Sequence, residues 1–140
     1  MSSRNGTRKG APGGPSLYTA TSRLHGRGVF AGRRFRKGEV LERCPILTVS
    51  AKDRRALERT RLSAYLFERD GGAAAIALGF GSLVNHSFQA NAECELLVDE
   101  GSAVFRALRE ITPGEEITIQ YTDESRLWFV PREGNGHVAH

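Results

Sequence analysis

The apolar residues of this 140-residue chain occur in short runs, separated by turns that contain glycine or proline. Runs of this length suit β-strands, because a buried helix needs an apolar periodicity sustained over ten or more residues. Glycine permits positive φ at the turns, and proline fixes the first central position of a tight turn. We therefore predict an antiparallel β protein whose strands include residues 17–19, 29–31, 39–41, 46–49, 94–98, 103–107 and 117–121.

The segment from Ser50 to Leu62 is the exception to this β pattern. It opens with a serine, a residue type that caps helix N-termini, and Asp53 follows where a carboxylate favours the first turn. Ala56 and Leu57 supply a small apolar face among many arginines. We expect one short surface helix here.

Both ends of the chain have little to bury. Residues 1–16 combine glycine, proline, serine and three basic side chains, and residues 131–140 are also mostly polar or small. Such segments cannot bury enough apolar surface to offset the entropy of ordering. We expect a disordered basic arm over 1–16, one folded domain over 17–130 and a flexible tail over 131–140.

Cysteine usage and hydropathy narrow the class of protein. Cys44 and Cys94 lie fifty positions apart, which excludes a disulfide framework and leaves no paired-cysteine zinc spacing. No apolar stretch approaches the roughly 20 residues that cross a bilayer, and the first residues lack the apolar segment of a signal peptide. We expect a soluble intracellular protein with no metal site and no membrane partner.

Charge is distributed unevenly along the chain. The net charge of +4 divides into +3 for residues 1–16, +8 for residues 17–61 and −7 for residues 62–140. The acidic part can attract a cationic ligand and the basic part an anion, over about 8–10 Å in ordinary salt. The same uneven distribution of charge would arise if these residues simply lay on solvent-exposed faces and bound no ligand.

Two segments carry groups suited to ligand binding. Residues 24–31 read Leu-His-Gly-Arg-Gly-Val-Phe-Ala, where glycines let a ligand approach the backbone and Arg27 can hold a carboxylate or phosphate. Residues 78–87 read Leu-Gly-Phe-Gly-Ser-Leu-Val-Asn-His-Ser and end in a polar triplet. Each segment alone is also typical of a plain turn, and the first lacks the third glycine of a dinucleotide-binding unit.

The order of three segments is more specific. Gly-Arg-Gly at 26–28, the 78–87 stretch and Gly-Glu-Glu-Ile-Thr-Ile-Gln-Tyr at 114–121 together resemble the signature of SET-domain protein-lysine methyltransferases. The small stand-alone bacterial and viral members are the most similar in appearance. The resemblance implies a mostly β, β-clip-like fold of short strands in small sheets, with one short helix and a pseudoknot-like C-terminal threading.

The resemblance also implies S-adenosyl-L-methionine as cofactor. Its implied binding residues are Gly26, Arg27, Gly28, Asn85 and His86. Arg27 is suited to the carboxylate of the cofactor, because a guanidinium forks around planar anions.

Two tyrosines acquire roles by the same resemblance. Tyr121 corresponds to the catalytic tyrosine, and Tyr65 to a second tyrosine that lines the lysine channel. An ordinary tyrosine pKa of about 10 keeps the hydroxyl protonated at neutral pH, so orientation is its expected contribution. The implied reaction is methyl transfer to a deprotonated lysine in a basic, possibly histone-like, protein segment.

The chain departs from the family pattern after the Asn-His pair. Many members read Asn-His-Ser-Cys-x-Pro-Asn, whereas residues 85–91 read Asn-His-Ser-Phe-Gln-Ala-Asn, and no cysteine follows Cys94. The missing cysteine often serves a zinc-bearing extension, which we expect to be absent. Closure of the substrate channel would then pass to Trp128 and Phe129.

Two other interpretations stay open at this point. A SET-like fold that has lost catalysis would bind a peptide or cofactor only, and a small basic protein would bind nucleic acid. The basic segment lacks interleaved stacking aromatics, so we expect that nucleic acid is not required. The small β core also predicts a homodimer that buries about 1,200–2,000 Å² between copies.

Overall fold

A computed structural model describes residues 14–121 of the chain. This part contains nine strands and one α-helix, α1 (Ala51–Leu57). The strands are β1 (Leu17–Thr21), β2 (Arg27–Ala31), β3 (Val40–Val49), β4 (Leu66–Glu68), β5 (Ala74–Ala77), β6 (Asn85–His86), β7 (Ala92–Leu97), β8 (Ser102–Ala107) and β9 (Glu116–Ile119). The expected mostly β fold of short strands with one short helix is confirmed.

The strands are hydrogen-bonded in the order β1-β2-β9-β7-β8-β3-β5-β4, and β6 pairs with β9 off this path. Strand β9 is antiparallel to β2 but parallel to β6 and β7. Strand β9 therefore lies between β2 and β7, which precede it in the chain. This insertion is the part of the expected C-terminal threading that falls within the described residues.

Strand β3 changes partners along its length. Residues 40–45 pair with β8, and residues 46–49 pair with β5. The sequence predicted two strands here, at 39–41 and 46–49. The structure instead has one ten-residue strand with an irregularity between Val40 and Glu42, so residues 42–45, which separate the two apolar runs, continue the strand.

The core lies between β2, β8, β9 and the loop that carries Phe35. Phe35, Phe105, Ile111 and Ile117 are each at most 2% exposed, and burial of such a side chain stabilises the fold by about 1.5–3 kcal/mol. Gly81 packs closely against this core. A Cβ there would lie 2.6 Å from Ala77 Cβ, so only glycine lets the chain pass on its way to β6.

The predicted helix begins correctly but ends early. Ser50 is its N-cap, and its hydroxyl accepts a 3.1 Å hydrogen bond from the Asp53 amide. The helix ends at Leu57 rather than Leu62, because the Thr60 side chain caps a separate 3₁₀ turn, Arg61–Tyr65. At the predicted turns, Gly38, Gly101 and Gly114 have φ of 85°, 65° and 88°.

Some sequence predictions stay untested. The arm at 1–16 and the tail at 131–140 lie largely or wholly outside the described residues, as do Trp128 and Phe129. Within residues 14–121, no group of three or more histidine, cysteine, aspartate and glutamate side chains is arranged to hold a metal. In the same range no helix is long and apolar enough to cross a membrane.

Candidate active site

Strand β9 brings the three motif segments together. It pairs on one side with β2, where Val29 faces Ile117, and elsewhere with β6, where Asn85 faces Thr118. The first glycine segment, the Asn-His pair and the final Gly-Glu-Glu segment therefore converge around one four-residue strand. Tyr121 follows two residues after this strand ends.

Asn85 is the most buried polar residue of this junction, at 1% exposed. Its Nδ2 group donates to the carbonyls of His25 and Arg27 at 3.0 and 3.3 Å and to Glu116 Oε2 at 2.9 Å. These acceptors fix which way the amide faces. Asn85 Oδ1 is buried and has no hydrogen-bond partner among the described residues, so the site presents an acceptor that needs a donor.

Glu116 and Ser22 hold Asn85 in this orientation. The Ser22 hydroxyl lies 2.8 and 2.9 Å from the two Glu116 oxygens and accepts from the Leu24 amide at 2.8 Å. The backbone of β2 passes so close that a Cβ at Gly28 would overlap the Glu116 carboxylate and lie 3.1 Å from Asn85 Nδ2. Gly28 is thus required for packing of the site itself.

His86 links β6 to the end of the described chain. It is 4% exposed, and its Nδ1 accepts a 3.0 Å hydrogen bond from the Tyr121 amide. The rings of His86 and Tyr121 are 5.0 Å apart, and the Phe88 ring packs edge-on against His86 at 4.4 Å. His86 therefore orients the backbone that carries Tyr121.

The Tyr121 hydroxyl points back into the molecule. It donates a 3.0 Å hydrogen bond to the Val84 carbonyl. Burial, and then the neighbouring Tyr65, raise the pKa of Tyr121 well above its ordinary value. The phenol is consequently a neutral hydroxyl at any working pH, suited to orienting a reactant and unsuited to removing a proton.

Tyr65 is held beside this group by its own backbone. It ends the 3₁₀ turn after α1, and its carbonyl accepts a 3.0 Å hydrogen bond from the Ser82 hydroxyl. Ser82 Oγ in turn accepts from the Ala77 amide at 2.9 Å. The glycine-rich segment thereby fixes the position of the second tyrosine.

Asn91 secures β9 from the other side. It is 2% exposed, its Oδ1 accepts from the Thr118 amide at 2.9 Å, and its Nδ2 donates to the Glu116 carbonyl at 2.8 Å. These bonds are to backbone, so Asn91 maintains the strand. Sequence reasoning missed Asn91, Ser22 and Glu116. Asn91 could have been found as the last residue of the 85–91 segment, and Glu116 as part of the Glu-Glu pair in the 114–121 segment. No sequence signal marked Ser22.

The remaining predicted residues are less enclosed. Gly26, with φ of 47°, forms the exposed turn before β2, and the Arg27 side chain is exposed while its carbonyl is part of the Asn85 cluster. The acidic residues expected to attract a substrate are partly committed elsewhere. Glu115 pairs with Arg109 at 2.6 Å, and Glu116 belongs to the site.

This chain is similar to known proteins. The SET domain family model matches residues 26–122. The chain is 32% identical over 105 residues to the Schizosaccharomyces pombe histone-lysine N-methyltransferase, H3 lysine-37 specific, across 74% of this chain and 70% of that protein.

Solved structures of other proteins have a fold similar to that of this chain. One described as a Plasmodium falciparum histone methyltransferase has a TM-score of 0.64 at 30% identity and covers 76% of this chain and 92% of that chain. The Chaetomium thermophilum Polycomb Repressive Complex 2 bound to S-adenosylmethionine has a TM-score of 0.67 over 77% of this chain and 15% of that chain, and its 21% identity shows the fold alone.

The names of the Schizosaccharomyces and Plasmodium relatives support a lysine methyltransferase activity. The matched range begins one residue before β2 and ends just after Tyr121, so it contains β2, β6, β9 and Tyr121. The chain is a member of the SET-domain family.

Proposed function

We propose that this chain is an S-adenosyl-L-methionine-dependent protein-lysine N-methyltransferase. The observation that carries the proposal is the buried Asn85 Oδ1, an acceptor without a donor among the described residues. An α-ammonium group would satisfy it with a charge-assisted hydrogen bond, and the adjacent Glu116 carboxylate favours a cation there. These two acceptor groups therefore fit the α-ammonium group at the amino-acid end of the cofactor.

The other implied contacts fit the same ligand. Gly26 leaves room for a ligand to approach the backbone, and Gly28 makes room for the Glu116 carboxylate that holds Asn85. The exposed Arg27 side chain suits the carboxylate of the cofactor, and the backbone of Asn85 and His86 would lie alongside it. When bound, S-adenosylmethionine supplies a methyl group on a sulfonium centre. The residues of this chain bind it, exclude water and hold the amine of the substrate in line.

Tyr121 and Tyr65 would act on the substrate lysine. A protonated lysine has no lone pair, so it must lose its proton before attack, and a narrow channel favours the neutral form by desolvating the charge. The neutral Tyr121 hydroxyl can orient the amine, with Tyr65 beside it. Positioning of this kind supplies about 7–11 kcal/mol of a barrier in favourable cases.

The pH dependence of methyl transfer is expected to follow the substrate lysine, because the raised pKa of Tyr121 keeps the tyrosine protonated. We expect kcat/KM to rise between pH 7 and about 10, because a free lysine with an ordinary pKa of about 10.4 becomes neutral increasingly over this range. Tyr121 keeps its proton throughout, since its pKa is shifted upward. Initial rates across this range test the point, with circular dichroism confirming the fold. A fall in rate below pH 10 in folded enzyme would contradict it.

Glu116 is expected to act through Asn85 and through its charge. Glu116→Gln should weaken binding of S-adenosylhomocysteine about tenfold, because loss of a nearby carboxylate removes roughly 1–2 kcal/mol of charge-assisted interaction. The matched control is Glu115→Gln, whose carboxylate bonds Arg109 at the surface. Calorimetry should also include the ligand analogue that lacks the α-amino group. Equal weakening of both ligands by Glu116→Gln would assign Glu116 a merely structural role.

The proposed substrate is a lysine in a basic protein segment, with a histone-like tail as the leading candidate. The names of the relatives support histones as the class. Glu93 and Glu95 are exposed on β7 and contribute negative charge to the surface. Incubation with labelled cofactor and a panel of basic proteins, followed by mass spectrometry, tests this proposal. Cofactor binding without any methyl transfer would favour the non-catalytic alternative.

Localisation belongs to the same proposal. A histone substrate would place the enzyme in the nucleus of a eukaryote.

The domain bounds belong to the same proposal. The SET domain would extend over 17–130, between a basic arm at 1–16 and a tail at 131–140. Trp128 and Phe129 would close the channel in place of a zinc-bearing extension. Truncation after Val130 should keep methyl transfer, and truncation after Tyr121 should lose it.

A homodimer stays a prediction from the small size of the β core. Two copies would bury about 1,200–2,000 Å² and so offset a limited interior. Light scattering at micromolar concentration measures the mass directly. A species of one-chain mass alone would refute the dimer without affecting the proposed chemistry.

A further inference from the structure

One surface of the described residues is basic, because its cations outnumber its acids. It consists of Lys52, Arg55, Arg59 and Arg61, all exposed on or just after α1, and we call it the α1 basic face. Lys52 and Arg55 are spaced i, i+3 on α1, which places them on one side of the helix, and Arg59 and Arg61 follow the end of the helix at Leu57. Arg54 faces inward instead, where it is 7% exposed and bonds Glu58 at 3.1 Å.

The α1 basic face differs from three exposed arginines elsewhere among the described residues. Arg34 pairs with Glu110, Arg43 with Glu100 and Arg109 with Glu115. Among the described residues, by contrast, no ion pair involves a member of the α1 basic face. Of the two acids on the same segment, Glu58 is paired with Arg54, which leaves Asp53 against four cations. The charge of this face is therefore available to an external anion.

The α1 basic face lies close to the lysine channel. Arg61 begins the 3₁₀ turn that Tyr65 ends. At a rise of about 2 Å per residue, the two backbones are separated by about 8 Å, which is within a Debye length at physiological salt. A free basic peptide approaching the channel would be repelled by this face. A basic segment that arrives with its own polyanion would instead be attracted.

We propose that the α1 basic face binds the phosphate backbone of duplex DNA, so that the enzyme prefers a basic substrate that is bound to DNA over the same substrate free. This inference rests on the proposed function and names the state of its substrate. Three of the four cations are arginines, whose guanidinium forks match phosphate oxygens. Lys52 and Arg55 lie about 4.5 Å apart along the axis of α1, which is close to the spacing of about 3.4 Å per phosphate along one strand of the duplex.

Two triple variants of the full chain separate this face from general charge. Lys52→Gln/Arg55→Gln/Arg59→Gln removes three unpaired cations. The matched control, Arg34→Gln/Arg43→Gln/Arg109→Gln, removes the same formal charge from paired positions. Thermal melts of both variants check that the fold is kept, and none of the six residues belongs to the proposed site.

The first measurement is binding to a random-sequence duplex by fluorescence anisotropy over a salt series. The face variant should lose about three units from the slope of log K against log salt, because each phosphate contact contributes about one, whereas the control keeps most of the slope. Equal slopes for the two variants would overturn the proposal. Competition by polyglutamate as effective as competition by DNA would also overturn it, since the face would then recognise acidic protein.

The second measurement is kcat/KM for one basic peptide, free and bound to duplex DNA. Wild type should favour the bound form by about tenfold or more, and the face variant should lose that preference while methylating the free peptide at least as well. Equal values for free and bound peptide in wild type would reject the preference for DNA-bound substrate. Absence of transfer to either form would reject the proposed function instead, and the anisotropy result would still decide the DNA contact.

Discussion

Tyr121→Phe is expected to lower the single-turnover rate of methyl transfer about a hundredfold or more. The change removes the hydroxyl that bonds the Val84 carbonyl at 3.0 Å and keeps the ring that packs on His86. Loss of one aimed hydrogen-bonding group at a reacting centre commonly costs about 10²–10³ in rate. The loss of one neutral hydrogen bond should destabilise the fold by only about 1 kcal/mol. Rapid-quench kinetics and a thermal melt measure the two effects separately.

Tyr18→Phe is the matched control for this change. Tyr18 lies on β1, stacks on Phe30 at 5.7 Å between ring centroids and is 38% exposed. Its loss of a hydroxyl should leave the transfer rate unaltered. A Tyr121→Phe enzyme with the single-turnover rate of wild type would remove Tyr121 from the mechanism.

Asn85→Ala should have the second large effect, on both cofactor binding and stability. The change deletes the open Oδ1 acceptor, and affinity for S-adenosylhomocysteine should fall about 10- to 100-fold, as for loss of a charge-assisted hydrogen bond. It also strips the His25 carbonyl, the Arg27 carbonyl and Glu116 of their shared donor. Unfolding should become about 2–4 kcal/mol easier, because buried acceptors are left unsatisfied.

Asn91→Ala is the control that shows whether the loss of cofactor affinity in Asn85→Ala is specific to Asn85. Asn91 is equally buried and also bonds β9, but through the Thr118 amide and the Glu116 carbonyl. The two variants should be destabilised to a similar degree in denaturant, whereas only Asn85→Ala should lose affinity when both are folded. Similar affinity losses in the two variants would show that Asn85 acts through strand packing alone.

The predicted and the unpredicted parts of the site differ in physical kind. Gly28, Asn85 and Tyr121 were accessible to sequence reasoning because each belongs to a short segment with a distinctive order of residue types. Ser22 was not, because a single serine after β1 carries no local signal. Its role arises from a hydrogen bond to Glu116, 94 positions away, that only strand pairing creates.

The unpredicted parts of the fold have similar causes. Strand β5 is nearly all alanine, and β6 has two residues, so neither shows an alternating pattern. The raised pKa of Tyr121 depends on burial and on Tyr65, which approaches from a different part of the chain. Local composition records propensity, whereas these properties depend on tertiary contacts.

The parallel insertion of β9 has a consequence for how the protein is made. The hydrogen bonds from Ser22 and Asn85 to Glu116 require β9, so an N-terminal fragment that stops at β8 contains neither the ordered junction around Asn85 nor Tyr121. Chains emerge from the ribosome N-terminus first at about 5–20 residues per second. A nascent polypeptide of this sequence therefore has no assembled candidate site until β9 has been released, and premature termination before β9 yields a protein without that site.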